Sequence, residues 1–346
     1  MNAGAVQYFP GIHALRGIAA LLVVVQHAGH FAAVATGRPE DDLVKIGLGS
    51  IGVTTFFTIS GFVIALNRHL PTTEFVCRRA LRIYPAFWAA YALSSAIALL
   101  ADHKTNFLWS VLFLLPTRES WAIHLPLWTL IFEVFFYFLA AIVFSMRLSD
   151  RTLTALALCW IVAIESMYPY LSGGRPTLSV LPGALIAIAP YNVFFALGMI
   201  CALNLRLLVR IPLEVLLVVA VVATALLPLL PPHPHVTTFL VLGIGLCSIL
   251  IASIQVQKWP KYLLRLGDAS YGLFLLHYAP MISAAALLAG TGYPAWALFL
   301  FMITIGLAVG VPFGLLEYSF HRKSLRFLLA KVLAQRSPTL DPGALK

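Results

Sequence analysis

Ten long apolar stretches dominate this sequence and constrain its fold more than any other feature. A membrane-spanning helix needs about 20 predominantly apolar residues, because the hydrocarbon core of a bilayer is about 30 Å thick. Only 10% of the 346 residues are charged, against roughly 25% in soluble proteins. The sequence therefore predicts an all-α polytopic membrane protein with about ten transmembrane helices. The predicted spans are residues 12–34, 48–67, 75–100, 126–146, 151–170, 182–203, 213–230, 237–255, 270–289 and 294–317.

The Lys and Arg residues between these stretches predict how the chain is oriented. We count 17 of them on one side of the predicted spans and only five on the other side. Cytoplasmic loops carry an excess of basic residues, so we expect both termini to be cytoplasmic, in agreement with an even number of spans. Residues 1–326 form one predicted transmembrane domain. Residues 327–346, which contain Ser-Pro-Thr-Leu-Asp-Pro-Gly, form a predicted disordered tail.

The net charge of +10 suits a membrane protein better than a nucleic-acid-binding protein. A nucleic-acid-binding protein would carry its basic residues in patches within polar sequence, whereas here they lie between apolar stretches. We therefore expect a lipid bilayer and an anionic ligand as partners, and no nucleic acid. The four cysteines lie far apart and show no metal-binding spacing, so we expect no metal site.

Two ionisable residues, Arg16 and His27, lie inside the first predicted span. Ionisable residues within a span are energetically costly and are candidate functional residues. Eleven residues separate the two, which is about three helical turns and about 16 Å, so both should face the same side of the helix. With a cytoplasmic N-terminus, Arg16 lies near the cytoplasmic face and His27 in the outer half. The alternative is that Arg16 extends to the interface and His27 is structural.

Glu133 is the next candidate, in the span predicted at 126–146. Counted from the outer surface it lies about 10 Å deep, and His27 lies about 22 Å from the inner surface. In a core of about 30 Å the two residues should reach nearly the same depth. A carboxylate beside an imidazole can fix its tautomer and raise its basicity, as a general base requires. Alternatively, Glu133 only forms hydrogen bonds within the helix bundle.

A cluster of basic residues, Arg78, Arg79 and Arg82, lies at the start of the third predicted span. Arg78 and Arg82 are four residues apart and should share one helix face, a geometry that suits the binding of phosphates. Arg is favoured over Lys where planar, bidentate phosphate contacts are needed. Anchoring of the span at the cytoplasmic surface is the alternative explanation for this cluster.

Small and hydroxyl-bearing residues characterise the second span at positions 52–62. Such residues usually indicate close helix packing. Because Gly52, Phe56 and Ser60 share one helix face, they alternatively predict the lining of a passage through the bundle.

Three more ionisable residues lie in or near the last two spans. Asp268 is expected to cap the start of the ninth span. His277, within that span, fits a structural and a functional role equally well. Glu317, near the end of the last span, is expected to be solvated.

Five sequence blocks, in order along the chain, resemble those of a known family. They are Phe-Pro-Gly-Ile-His-Ala-Leu-Arg-Gly-Ile-Ala-Ala at 9–20 together with His27, the Phe-Phe…Ser-Gly-Phe block at 52–62, Arg-Arg-Ala-Leu-Arg-Ile-Tyr-Pro at 78–85, the Trp…Glu…Phe-Tyr block at 127–137, and the Gly…Ser-Tyr…His…Pro block at 266–280. The chain is similar in these blocks to the acyltransferase-3 family of bacterial membrane O-acetyltransferases. It resembles the stand-alone form, without the SGNH hydrolase-like domain fused to some members. His13 and Thr54 stand where the family often has Asp.

The resemblance implies an acyl-CoA-dependent O-acyltransferase of the bacterial inner membrane. An acetyl or other short acyl group would pass from cytoplasmic acetyl-CoA to a hydroxyl of a cell-surface glycan precursor, a lipid-linked saccharide or a related acceptor. His27 would be the general base, oriented by Glu133, or would itself be transiently acylated. We therefore expect the catalytic residues to be His27, Glu133 and Arg16. For acyl-CoA binding we expect Arg78, Arg79, Arg82, Ser60 and Tyr271.

A proton-coupled transporter, or a flippase of a lipid-linked saccharide, is the alternative function. Arg, His and Glu residues within the membrane and ten spans suit such a carrier. The sequence contains no evident internal half-repeat, which argues against a carrier, and its buried charges argue against a purely structural protein.

Overall fold

A computed structural model describes residues 8–38, 47–100, 109–117, 127–171, 183–230 and 236–336. Within these ranges every regular element is helical, which confirms the all-α class. The α-helices are α1 Pro10–Thr36, α2 Leu48–Leu66, α3 Thr72–Leu100, α4 Trp109–Leu112, α5 Leu127–Ser145, α6 Asp150–Leu171, α7 Asn192–Leu203, α8 Leu205–Leu208, α9 Leu213–Leu226, α10 Val236–Gln255, α11 Lys261–Leu276, α12 Tyr278–Leu288 and α13 Ala295–Arg336. Short 3₁₀ helices lie at Gly183–Ile188 and Leu227–Leu229.

Five of these helices are long and apolar enough to cross a membrane: α1, α2, α5, α10 and the Ala295–Leu328 part of α13. A sixth candidate span is the pair α11 and α12, which is bent by 51°. Helix α7 and the segment Leu213–Leu229 are apolar but shorter. The chain is therefore a helical membrane protein, while the number of ten spans and the cytoplasmic position of both termini stay predictions.

Helix α1 packs against five other helices, α2, α10, α11, α12 and α13. Small residues make these contacts possible, since Ala14, Ala20 and Ala28 are fully buried. A Cβ atom on Gly17 would lie 2.9 Å from the backbone nitrogen of Gly267 in α11. Because small residues let helix backbones approach closely, the Arg and His side chains of α1 are held among its neighbours.

Helices α2 and α7 also approach each other closely, through a pair of glycines. Gly61 of α2 faces the backbone of Phe195, and Gly198 of α7 faces the carbonyl group of Thr58. A Cβ atom at either glycine would overlap a backbone carbonyl oxygen of the opposite helix. The absence of a side chain at these two positions therefore sets the distance between the two helices.

We expect Gly198→Ala to destabilise the bundle, because the added methyl group would force α2 and α7 apart. Overpacking of this kind costs about 1–3 kcal/mol of unfolding free energy. Thermal unfolding of the purified protein in detergent should show a lower Tm. Gly47→Ala is the matched control, since the nearest atoms to its Cβ, in Ser50, are 3.8 Å away. Equal Tm values for the two variants would contradict this account of the α2–α7 contact.

The ninth apolar stretch forms two helices rather than the single span predicted at 270–289. Helix α11 begins at Lys261, directly after Pro260, and α12 ends at Leu288, with the bend at His277 between them. Asp268 therefore lies inside α11 and does not cap a helix. Pro260 explains where α11 begins. Proline has no backbone N–H group and its ring clashes with a preceding helical turn, so a helix can start at a proline but cannot extend through it towards the N-terminus.

The last helix is longer than the sequence predicts. Helix α13 continues to Arg336, beyond the start of the predicted disordered tail at residue 327. The sequence from 324 to 336 is rich in Leu, Ala, Lys and Arg, which are strong helix formers. The next proline, Pro338, lies outside the described residues, as does the rest of 337–346.

Candidate functional site

A cavity between α1, α2, α3, α5 and α11 offers about 90 Å³ of space to water-sized molecules. It brings together six of the eight site residues predicted from the sequence, all except His27 and Arg78. Its polar lining consists of Arg16, Ser60, Arg79, Arg82, Thr129, Glu133, Tyr137 and Tyr271.

Positive charge dominates this cavity. Arg16, Arg79 and Arg82 line it, and Glu133 is the carboxylate among its described lining residues. These three guanidinium groups outnumber the nearby carboxylates, Glu133 in the lining and Glu317 bonded to Arg82, and leave a positive electrostatic potential that favours an anionic ligand.

Arg82 is held in place from two sides. Its Nη1 donates a hydrogen bond of 2.8 Å to Oε1 of Glu317, and its guanidinium carbon lies 4.5 Å from the centroid of the Tyr271 ring. Glu317 is buried, and its Oε2 has no hydrogen-bond partner among the described residues. The prediction of a solvated Glu317 is therefore wrong, because α13 continues past the predicted end of its span and packs against α3.

Tyr137 connects Arg79 with Glu133. The Tyr137 hydroxyl donates a hydrogen bond to the Glu133 carboxylate. The Arg79 guanidinium carbon lies 5.3 Å from the centroid of the Tyr137 ring, which is a cation–π geometry. Glu133 also lies close enough to Arg16 for their charges to attract. Arg79 forms no ion pair with a carboxylate in the described ranges, so its charge is available to a ligand.

Arg78 lies outside the cavity lining, contrary to the predicted pairing of Arg78 with Arg82. Its guanidinium group instead forms an ion pair with Glu74, one turn earlier on α3. Arg79, three residues before Arg82, lines the cavity in its place. Spacings of three and of four residues both keep two side chains on one helix face, so spacing alone could not decide between Arg78 and Arg79.

His27 also has a different partner from the predicted one. Its Nδ1 lies 2.8 Å from Nε2 of His277, and the planes of the two rings are inclined by 20°. Glu133 bonds to Tyr137 instead. The predicted hydrogen bond between His27 and Glu133 is therefore wrong, and His277 is the hydrogen-bond partner of His27 among the described residues.

The depth estimate behind that prediction fails for a physical reason. Counting residues fixes a position along one helix, but the shift of α5 along its own axis relative to α1 follows from packing against α2 and α3. Glu133 lies at the level of Arg16, and Arg16 is about 16 Å from His27 along α1. A carboxylate is stabilised among guanidinium groups, since ionisable residues inside a membrane protein pair with one another.

Two phenylalanines separate the cavity from the histidine pair. Phe56 of α2 and Phe274 of α11 line the cavity, and their ring centroids are 5.5 Å apart. The Phe274 ring is 6.2 Å from the ring of His277. The cavity therefore extends from the arginines to Phe274, whose ring also neighbours His277.

Both explanations for the second span apply, at different positions. Phe56 and Ser60 line the cavity, as a passage would require. Gly52 serves close packing, because a Cβ atom there would lie 2.6 Å from the carbonyl oxygen of Ala19 in α1. One face of α2 thus supports α1 and also lines the cavity.

A second polar contact lies one turn before Arg16. His13 Nε2 donates a hydrogen bond of 2.7 Å to Oδ1 of Asp268. His13, one of the two departures from the family pattern, therefore has an acidic partner within this chain. Across the part of the chain that the structure describes, no group of three or more His, Cys, Asp or Glu could hold a metal ion.

Three residues of the site were not assigned their contacts from the sequence: Tyr137 received no role, Glu317 the wrong one, and the role of His277 was left open. Tyr137 follows Glu133 by four residues, a spacing at which helical side chains meet. The hydrogen bond between these two residues could therefore have been predicted from the sequence. Arg82 and His27 contact residues 235 and 250 positions away, and no local pattern identifies such partners.

Comparisons with known proteins agree with this architecture. The acyltransferase-3 family, described as an acyltransferase domain, matches residues 9–315. The exopolysaccharide production protein ExoZ of Rhizobium meliloti is 30% identical over 275 residues, which cover 72% of this chain and 82% of that protein. The acyltransferase MdmB of Streptomyces mycarofaciens is 26% identical over an alignment of 369 positions that covers 92% of each chain. No solved structure matches the chain.

The match covers nearly the whole bundle, from the first described residues to the middle of α13. It includes both the arginine-lined cavity and the pair of His27 and His277. The chain therefore belongs to the acyltransferase-3 family and is a membrane acyltransferase.

Proposed function

We propose that this protein is an O-acyltransferase of the bacterial inner membrane, with both termini in the cytoplasm. It transfers an acetyl or other short acyl group from cytoplasmic acyl-CoA to a hydroxyl of a cell-surface glycan precursor or a related acceptor. One observation carries the proposal: a cavity with three arginines lies below a pair of histidines that contact each other.

The arginines support a polyanionic donor. Acyl-CoA carries several phosphate charges, and Arg binds phosphate through charge-assisted, often bidentate hydrogen bonds. Arg79 lies unpaired with any carboxylate in the described ranges, whereas Arg82 is bonded to Glu317. In this proposal Arg16, Arg79 and Arg82 hold the donor, with Ser60 and Tyr271 beside them. Glu133, which accepts a hydrogen bond from Tyr137, offsets part of the positive charge.

The distance between the two levels fits the shape of the donor. Arg16 and His27 are separated by eleven residues of one helix, or about 16 Å. The extended pantetheine arm of CoA is comparable in length, so phosphates bound at the arginines would allow the thioester to reach His27. On this route the arm must pass the rings of Phe56 and Phe274, which line the cavity on the side of the histidine pair.

His27 is the proposed general base. It takes the proton of the acceptor hydroxyl while the hydroxyl oxygen attacks the thioester carbonyl carbon. The carbon–sulfur bond then breaks, and the CoA thiolate recovers the proton from His27 to leave as the thiol. In the variant mechanism His27 is acylated first and passes the acyl group to the acceptor.

We expect His27→Ala to lower acyl transfer by about 10²–10⁴-fold, the usual contribution of general acid–base catalysis. The measurement is the release of free CoA from acetyl-CoA by purified protein, together with the acetyl content of the cell-surface glycan by NMR. His30→Ala, one turn further along α1, is the matched control and should keep the wild-type rate. Full activity in the His27 variant would refute the assignment. A wild-type protein that never consumes the thioester would favour a carrier.

We expect Arg79→Gln to weaken CoA binding by roughly 10- to 100-fold, because hydrogen bonds to charged groups contribute about 1.5–3 kcal/mol. Arg79 forms no ion pair among the described residues, so this substitution does not remove the partner of any described carboxylate. The control is the double variant Glu74→Gln with Arg78→Gln, which removes a neighbouring guanidinium group that does not line the cavity. Titration of each purified variant with CoA gives the affinity. An unchanged CoA affinity in Arg79→Gln would show that this arginine acts only as a membrane anchor, and equal losses in the two variants would contradict a contact specific to the cavity.

A further inference from the structure

His277 occupies an unusual position for a polar residue. It is fully buried and lies between the end of α11 at Leu276 and the start of α12 at Tyr278, where the two helices are bent by 51°. From this position it contacts His27 on the central helix α1, 250 residues earlier in the chain. The break in the helix thus places a second imidazole beside the proposed base.

The hydrogen bonds of His277 determine where its proton lies. Its Nδ1 is 2.9 Å from the backbone carbonyl oxygen of Leu273. A carbonyl oxygen can only accept a hydrogen bond, so Nδ1 of His277 carries a proton. In a neutral imidazole the other nitrogen then has none, and Nε2 of His277 is an acceptor.

The position of the proton on His277 also determines the position of the proton on His27. The accepting Nε2 of His277 lies 2.8 Å from Nδ1 of His27, so Nδ1 of His27 is the donor and carries its proton. The proton of a neutral His27 is thereby placed on Nδ1, which leaves Nε2 with a free lone pair. Within the described part of the chain, no hydrogen bond occupies that Nε2. The His27 side chain is partly exposed.

We propose that His277 is the positioning residue of this enzyme: it fixes the tautomer of His27 so that Nε2 is the atom that accepts the proton. This rests on the proposed role of His27 as the general base. The chain of contacts runs from the Leu273 carbonyl through His277 to His27. It does the work that a carboxylate does in other catalytic sites, where it holds an imidazole in the correct tautomer and orientation.

An uncharged positioning residue has a physical advantage at this place. A lone carboxylate among apolar helices would be costly, since charged groups within a membrane need partners. The histidine pair carries no formal charge at rest. When His27 takes up a proton, its Nδ1 donates a charge-assisted hydrogen bond to His277, which is stronger than the neutral bond. The pair therefore stabilises the imidazolium formed during the reaction more than the resting imidazole.

Kinetics of variants test this role. His277→Leu removes the acceptor and should lower kcat by roughly 10- to 100-fold, as loss of an orienting partner does elsewhere, with an unchanged KM for acetyl-CoA. His277→Gln keeps an amide oxygen that can accept from His27, and it should recover kcat to within about threefold of wild type. His30→Gln is the control for an altered histidine on α1. A wild-type kcat for His277→Leu, or equal losses for the Leu and Gln variants, would overturn the proposal.

A direct observation on the unaltered protein covers the case in which these variants do not fold. Nitrogen-15 NMR of histidine-labelled protein in lipid, with His27→Gln to assign the signals, should show Nδ1 of His27 protonated and Nε2 unprotonated. The opposite tautomer would overturn the proposal whatever the variants do. The two hypotheses fail separately: full activity of His27→Ala refutes the general base, whereas an inactive His27→Ala with a wild-type His277→Leu refutes only the positioning role.

Discussion

The cost of placing charged side chains among apolar helices determines how the central part of this bundle is built. Arg82 forms an ion pair with Glu317, and Arg79 lies against the ring of Tyr137. Each contact joins helices that are distant in sequence, so the charged residues also fix which helices meet. Breaking one partner of such a buried pair typically costs more than the intact pair contributes. The same Arg82–Glu317 ion pair therefore holds α3 against α13 and fixes Arg82 in the cavity lining.

The polar groups of the site occupy two levels with different electrostatics. At one level, guanidinium and carboxylate groups surround a cavity that suits an anion. At the other, His27 and His277 contact each other, and no carboxylate of the described residues forms a hydrogen bond with either ring. The rings of Phe56 and Phe274 lie between the two levels. In the proposed function, binding of the charged donor and proton transfer would therefore be separated in space, each in the surroundings that favour it.

The sequence indicates which segments are helical and which residues share a helix face, but it does not indicate which residues of different helices contact each other. Apolar length predicted the helical class correctly, and the cost of charge in a membrane singled out Arg16 and Glu133, which line the cavity, and His27, which contacts His277. Helical spacing gives the face on which a residue lies, but not how far a helix is shifted along its axis, so Glu133 was paired with the wrong partner. The same limit applies to Arg78, since the choice between it and Arg79 depends on Glu74 and on how α3 is rotated. His277 and Glu317 lie more than 230 residues from their partners, beyond the reach of any local pattern.

The absence of a formal charge in the resting histidine pair has an electrical consequence for the proposed transfer. The acceptor hydroxyl gives up a proton and gains an acyl group, while the donor loses that acyl group and leaves as a neutral thiol. His27 holds the proton only between its removal from the hydroxyl and its transfer to the CoA thiolate, so the charge of His27 returns to zero in each turnover. No net charge then crosses the membrane field, in which moving one elementary charge is worth about 2.3 kcal/mol per 100 mV. Acyl export by this route would run at the same free-energy change in energised and de-energised cells, driven by the thioester alone.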